Sequence, residues 1–225
     1  MMNAPIAFEK ISFYRDASML RQDAMRLLED QIAAAQERDG TLALSLFDLD
    51  NFRPILQAER ADLAQSILSA CLDSLKAGVS KGAAASLGRD EFITLVPDVK
   101  VEEALLLTER LRGQLAAVIG ETLKRESYPG LEQAHPGCSA GTAVFPLHAP
   151  EGPILLGKAE EALYRAKGAG RNQTMLPPQE KMVLKSNYYS NIQLQRLAGL
   201  AERTKRTEAS LLREALDQLL RSYNV

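Results

Sequence analysis

FDLD at Phe47–Asp50 and GRDEF at Gly88–Phe92 are two places where this chain sets acid against apolar runs. TLALSLFDLD reads as a buried strand ending in carboxylates, and ASLGRDEFITLV as strand, charged turn and strand. A carboxylate at a strand end beside another on a hairpin tip suits Mg²⁺. That ion takes hard oxygen ligands, usually one or two carboxylates plus substrate phosphates. Asp48 with Asp90 or Glu91 would supply the acids. Lys167 and Arg171 lie four apart at a helix end, share a face and suit phosphate. The same spacing also fits acids that close a strand and cations that stand in water. Spacing alone leaves both readings open.

The elements that must hold these residues follow from periodicity. Asp16 or Ser18 would cap a helix reaching about Arg38, with Leu20, Ala24, Leu28 and Ile32 on one face and Asp39-Gly40 as its stop. After the Thr41–Asp50 strand, a helix is expected from about Ala58 to Lys76, then the hairpin at Gly88-Arg89 and a helix from Val101 to about Ile119. ETLKRESYPGLEQAHPG reads as irregular, CSAGTAVFPL as a strand, and PILLGKAEEALYRAKGAGRN as an amphipathic helix stopping at Gly168 or Gly170. The order α-β-α-β-β-α-β-α predicts an α/β (α+β) domain, one mixed sheet covered by helices. QTMLPPQE breaks the pattern, and Pro177-Pro178 suits a linker. The expected division is a domain over 1–174, a linker over 175–182 and a small unit over 183–225.

In that last unit KMVLKSNYYS reads as a short strand, Ser190 as the cap of one helix and Thr207 as the cap of another. Leu211, Leu212, Ala215, Leu216, Leu219 and Leu220 make a broad apolar stripe. So short a unit cannot bury that stripe alone, which predicts a partner, most simply a second copy.

Composition excludes little but narrows the class. The chain has 225 residues, 46% hydrophobic and 25% charged, with net charge -2, so there is no overall pull toward nucleic acid. From Glu180 onward eight Lys or Arg stand against five Asp or Glu, a mildly basic end on a mildly acidic body. No apolar run has the roughly 20 residues of a membrane helix, and no signal peptide is visible, so a cytoplasmic protein without a membrane partner is expected. Cys71 and Cys138 read as reduced core thiols, and His135 and His148 as surface residues.

FDLDNFR, LGRDEFITLVP, CSAGTAVFP and AEEALYRAKGAGRN occur in an order and spacing that resembles the GGDEF family over about Asp16 to Asn172. The working members of that family are diguanylate cyclases, which condense two GTP molecules into cyclic di-GMP. The resemblance implies Asp48 and Asp90 as metal carboxylates beside the Leu49 carbonyl. It implies Glu91 as the second acid of the signature Gly88, Arg89, Asp90, Glu91, Phe92, and Arg53, Lys167 and Arg171 as phosphate contacts. Mg²⁺ would accompany a retained nucleotide site; no cofactor is otherwise required. The departures are specific. Arg89 replaces a glycine, which lets backbone approach a phosphate closely. Leu56-Gln57 and Ala64-Gln65 stand where the family reads guanine. Leucine offers no hydrogen bond, so guanine would leave polar edges unpaired, at roughly 1–3 kcal/mol per group. The family's entry motif is reduced to DASMLRQDA, and VSKG, Val79–Gly82, replaces its inhibitory Arg-x-x-Asp. These departures predict a degenerate domain that no longer makes cyclic di-GMP.

LAERTKRTEASLLREAL, with the strand before it, resembles the ribbon-helix-helix family. That resemblance implies a dimer whose paired strands enter the DNA major groove, with a helix N-terminus on a phosphate. Lys185, Ser186, Asn187, Tyr188, Lys205, Arg206 and Thr207 would face DNA, and Leu200, Leu211, Leu212 and Leu216 would form the dimer core. The combined expectation is a homodimeric, DNA-binding transcriptional regulator linked to cyclic di-GMP signalling, with a guanine nucleotide or cyclic di-GMP as a further ligand. A weak or unusual cyclase and a signalling scaffold that binds no DNA are the alternatives.

Overall fold

A computed structural model describes residues 17–57, 61–126, 137–178, 186–204 and 206–223. It divides into two compact units, Met1–Gln179 and Glu180–Val225.

The first unit is built on β1, Leu42–Asp50, whose nine residues are all buried. It pairs antiparallel with β3, Glu91–Pro97, on one side and β4, Gly137–Phe145, on the other. β2, Ala83–Gly88, joins β3 antiparallel, and β5, Thr174–Met175, joins β4 parallel, giving the order β2-β3-β1-β4-β5. A central strand buried on both faces reads as a continuous apolar run, as LALSLF does. Its residues alternate between two cores. Leu42, Leu44 and Leu46 join a cluster with α1, Ala17–Glu37, and α5, Gly152–Gly168. Ala43, Phe47 and Leu49 join one with α3, Ala61–Gly78, and α4, Val101–Arg125, beside the short α2, Arg53–Gln57. Phe47 and Phe92 are fully buried, each worth roughly 1.5–3 kcal/mol in apolar transfer. Thus the mixed α/β sandwich expected from periodicity is the fold.

Four local readings change. α4 continues to Arg125 instead of ending near Ile119, because Thr122 and Leu123 extend the buried face of Leu111, Leu115 and Ile119. The helix expected over about Ala58–Lys76 is α3, Ala61–Gly78, but an unexpected short helix, α2, precedes it; residues 58–60 lie outside those described. Thr174 and Met175, where a break was expected, add a fifth strand; two residues are too few for a pattern to show. His148 is half-buried, not a surface residue: its Nδ1 accepts the Val144 N–H at 2.8 Å, and burial together with Lys158 lowers its pKa. Asp16 and His135 lie outside the described residues. No described helix is long and apolar enough to cross a membrane.

The second unit holds α6, Asn191–Thr204, and α7, Glu208–Ser222. Ser190 caps α6: its Oγ accepts the Gln193 N–H at 3.3 Å, and Gln193 Oε1 accepts the Ser190 N–H at 2.9 Å. No residue of α6 is buried. The expected strand over KMVLKSNYYS is not seen in its described half: Ser186–Ser190 is irregular, and 181–185 lies outside the described residues. A single strand has no ladder to join within these few residues.

Candidate active site

The end of β1 and the β2–β3 hairpin form the site's floor. Asp48 stands opposite Glu91 on β3 and Ser139 on β4. The Leu49 N–H donates to the Asp90 carbonyl at 3.1 Å, which fastens the hairpin to the strand end. Gly88 has φ +98° and Arg89 φ +52°. Arg89 therefore holds a left-handed backbone, at a cost of about 1–2 kcal/mol, and is exposed.

Three carboxylates converge here with different environments. Asp48 is mostly buried, and Lys167 Nζ lies 2.7 Å from its Oδ2. Burial pushes the Asp48 carboxyl up, Lys167 opposes that, and the charges of Asp90 and Asp50 add to it. Asp90 is also raised, first by burial and then by Glu91. Asp50 is almost fully enclosed and has its own donors: Ser139 Oγ at 2.8 and 3.0 Å and the Asn172 N–H at 3.0 Å. Asp50 is thus committed to the fold and Asp48 is paired with Lys167, while Asp90 and Glu91 stand half-buried beside them. Arg171 approaches from the loop after α5, its Nε 3.9 Å from Asp50 Oδ1. Asp48, Leu49, Asp90, Glu91, Lys167 and Arg171 are therefore gathered at one sheet edge, and Arg53 stands exposed at the first position of α2.

No group of three His, Cys, Asp or Glu side chains suited to a metal occurs among the described residues. Two carboxylates and a backbone carbonyl fit Mg²⁺, which keeps waters and takes phosphate oxygens, but not a fully protein-caged ion.

Beside this edge lies a cavity of about 220 Å³, with Leu46, Leu87 and Leu163 in its walls and Arg21, Glu91 and Lys167 at its margin. Arg21 pairs with Glu160 at 2.6 Å and reaches Glu91 at 3.7 Å. The sequence assigned no role to Arg21, Ser139 and Asn172 and read Asp50 only as an acid closing the strand; all four lie within the quoted motif stretches. At the expected guanine-reading positions, Leu56 is exposed and Ala64 is buried in the core. Gln65 donates to Ser69 Oγ at 3.3 Å.

In the second unit, Ser186, Asn187 and Tyr188 are exposed, as are Arg206 and Thr207 between the two helices; Lys185 and Lys205 lie outside the described residues. Leu200, Leu212 and Leu216 are exposed and Leu211 is half-buried.

Residues 21–173 match the model of the family described as "Diguanylate cyclase, GGDEF domain". The chain is 31% identical over 151 residues to diguanylate cyclase DgcP of Pseudomonas aeruginosa, covering 65% of this chain and 21% of that protein. It is 30% identical over 152 residues to diguanylate cyclase DgcS of Shewanella oneidensis, covering 67% of this chain and 47% of that protein. It therefore spans less than half the length of these relatives. The active GGEEF domain of a diguanylate cyclase from Vibrio cholerae superposes with TM-score 0.59 at 23% identity, covering 71% of this chain and 97% of that one. The GGDEF domain of DgcB from Caulobacter crescentus, solved with c-di-GMP, gives 0.58 at 22% identity over 74% of this chain and 96% of that one. At these identities the structures bear on the fold alone.

Proposed function

The chain belongs to the GGDEF family, and on that premise we propose that its first unit is a residual diguanylate cyclase. In this reading it keeps the metal and phosphate side chains, has lost the guanine readers, and turns GTP over slowly. The observation that carries the reading is the pair Asp48–Lys167 beside Asp90: two acids and a cation at one end of the sheet. Mg²⁺ bound there would supply positive charge to the phosphates. Asp48, Asp90 and the Leu49 carbonyl would hold it, and Lys167, Arg171 and Arg53 would take phosphate oxygens. Lys167 must leave Asp48 as metal and phosphate arrive, so the ion pair holds the empty site in register. The 3′-oxygen of each GTP would attack the α-phosphorus of the other, releasing pyrophosphate twice. Two units must therefore meet face to face. Named relatives that are diguanylate cyclases support activity over an inert domain.

The test is purified full chain with Mg²⁺ and GTP, read by chromatography. Slow cyclic di-GMP formation that disappears in Asp90→Ala is expected. A wild-type chain that forms none overturns the enzyme reading and returns the unit to a degenerate regulator.

A second reading concerns residues 183–225, as a ribbon-helix-helix dimer that binds DNA. It is favoured by the leucines that α6 and α7 leave in water, Leu194, Leu200, Leu212, Leu216, Leu219 and Leu220, and by Arg206 between the helices. Leu212→Asp would place a charge in the dimer core and should give monomers by light scattering. A tight dimer of that variant removes the reading, and salt-sensitive retardation of promoter DNA by the wild type supports its DNA half.

A further inference from the structure

We propose that Arg112, on the far side of β4 from Lys167, is a positioning residue for Arg171. It holds the Gly170–Asn172 turn in the one geometry that aims the Arg171 guanidinium at the acidic edge. The consequence for nucleotide rests on the cyclase reading above; the positioning itself does not.

The turn is a demanding piece of backbone. Gly170, Arg171 and Asn172 have φ +114°, +66° and +49°, three successive left-handed residues. Arg171 carries a Cβ there at about 1–2 kcal/mol, and Asn172, which tolerates this region better, at less, so the turn relies on its surroundings. Those surroundings are few. The Arg171 N–H donates to the Ala166 carbonyl at 3.0 Å, and the Asn172 N–H donates to Asp50. The side chain of Asn172 is held by Arg112 Nη1.

Arg112 is suited to that task. Its side chain is only 11% exposed. Nε donates to both Glu109 oxygens at 3.0 and 2.9 Å and Nη2 to Glu109 Oε1 at 2.8 Å, while Nη1 reaches the Cys138 carbonyl at 3.3 Å. Glu109 also accepts from Thr174 Oγ1 at 2.7 Å. The turn is therefore gripped at Asn172 and again two residues later, both times by one Arg–Glu pair on α4. A single planar fork serves a carboxylate, a backbone carbonyl and an amide at once, which a lysine ammonium cannot do. If only packing were needed, an apolar side chain would fill the space without removing a cation from water.

The test uses the full chain as wild type, Arg112→Lys, Arg112→Met, Asn172→Ala, Arg171→Ala and the Arg112→Met/Arg171→Ala double variant. Without ligand, amide hydrogen exchange at residues 170–174 should quicken at least about tenfold in Arg112→Met, with β1 amides unchanged. Affinity for Mg²⁺–GTP should fall about tenfold in Arg112→Met, as in Arg171→Ala, and Arg112→Lys should not restore it. The double variant should bind no worse than Arg171→Ala alone, because Arg112 acts through Arg171. Unchanged exchange at 170–174 in a folded Arg112→Met protein overturns the proposal, and so do losses that multiply in the double variant. Should Arg112→Met fail to fold, Asn172→Ala removes the same contact and leaves the Arg112–Glu109 pair intact. A wild type that binds no Mg²⁺–GTP removes the nucleotide reading, while the exchange result still decides the positioning.

Discussion

Lys167 Nζ lies 2.7 Å from Asp48 Oδ2, joining the last turn of α5 to the end of the central strand. The two residues expected to handle phosphate and metal thus neutralise each other. The pair also keeps Asp48, which burial drives toward its neutral form, available as a carboxylate. A ligand that brings both a cation and phosphates exchanges this one contact for two. In the proposed cyclase reading, GTP without metal would draw Lys167 from Asp48 and leave that carboxylate unpaired beside Asp90 and Asp50.

If loss of guanine reading is what slows the chemistry, restoring a polar group should speed it. Leu56→Asn is expected to raise cyclic di-GMP formation from GTP about tenfold or more, from the roughly 1–3 kcal/mol of an unpaired polar edge. Leu56→Ala should leave it unchanged. Equal rates for the two variants would show that Leu56 does not face the base.

Asp90 makes the metal-free site costly in a pH-dependent way. Its carboxyl is held above the usual range, by burial first and by Glu91 after. The folded chain therefore grips that proton more tightly than the unfolded chain, and ionised Asp90 lowers stability as pH rises through its folded pKa. Asp90→Asn should be more stable than wild type in urea near neutral pH with chelator present. The difference should shrink as pH falls below the ordinary carboxylate range. A variant less stable than wild type at neutral pH would contradict this sign.

Gly141 faces α5 with no room for a side chain: a Cβ there would overlap backbone atoms of Leu163 and Ala159. Backbone cannot rotate away as a side chain can. Gly141→Ala should cost about 1–3 kcal/mol in urea unfolding, and more if α5 cannot shift. Since α5 carries Lys167, the Asp48–Lys167 distance should lengthen as well. Wild-type stability would mean that the helix moves freely on the sheet.

The Cys71 thiol is pushed up to about 12 by burial, and Cys138 is raised by burial as well. Both should stay protonated and unreactive toward iodoacetamide at mildly alkaline pH in the folded chain. Labelling should follow global unfolding in urea. Fast labelling of either cysteine in native buffer would reveal local opening of the α3–β4 core.

Much of this protein follows from its sequence by itself. The continuous apolar run of LALSLF and the 3.6-residue stripes of α3 and α5 fix a mixed sheet under helices, because apolar pattern and burial are one constraint seen twice. Spacing alone left Asp48, Asp90, Lys167 and Arg171 open; their place on the GGDEF motifs singled them out, and the fold gathers them at one end of the sheet. Sequence distance hid the rest. Only the folded chain brings Ser139 and Asn172 onto Asp50, turning one of three acids into an anchor. Only it places Arg112, an arginine among several on α4, against the turn that carries Arg171. A hydrogen bond across the sheet leaves no periodic trace in the chain, since its partners are chosen by where strands and helices meet in space. Burial also distinguishes the two units of the chain. The first unit buries its apolar stripes within itself. The second leaves six described leucines exposed, a property that residue order suggests but only solvent exposure decides.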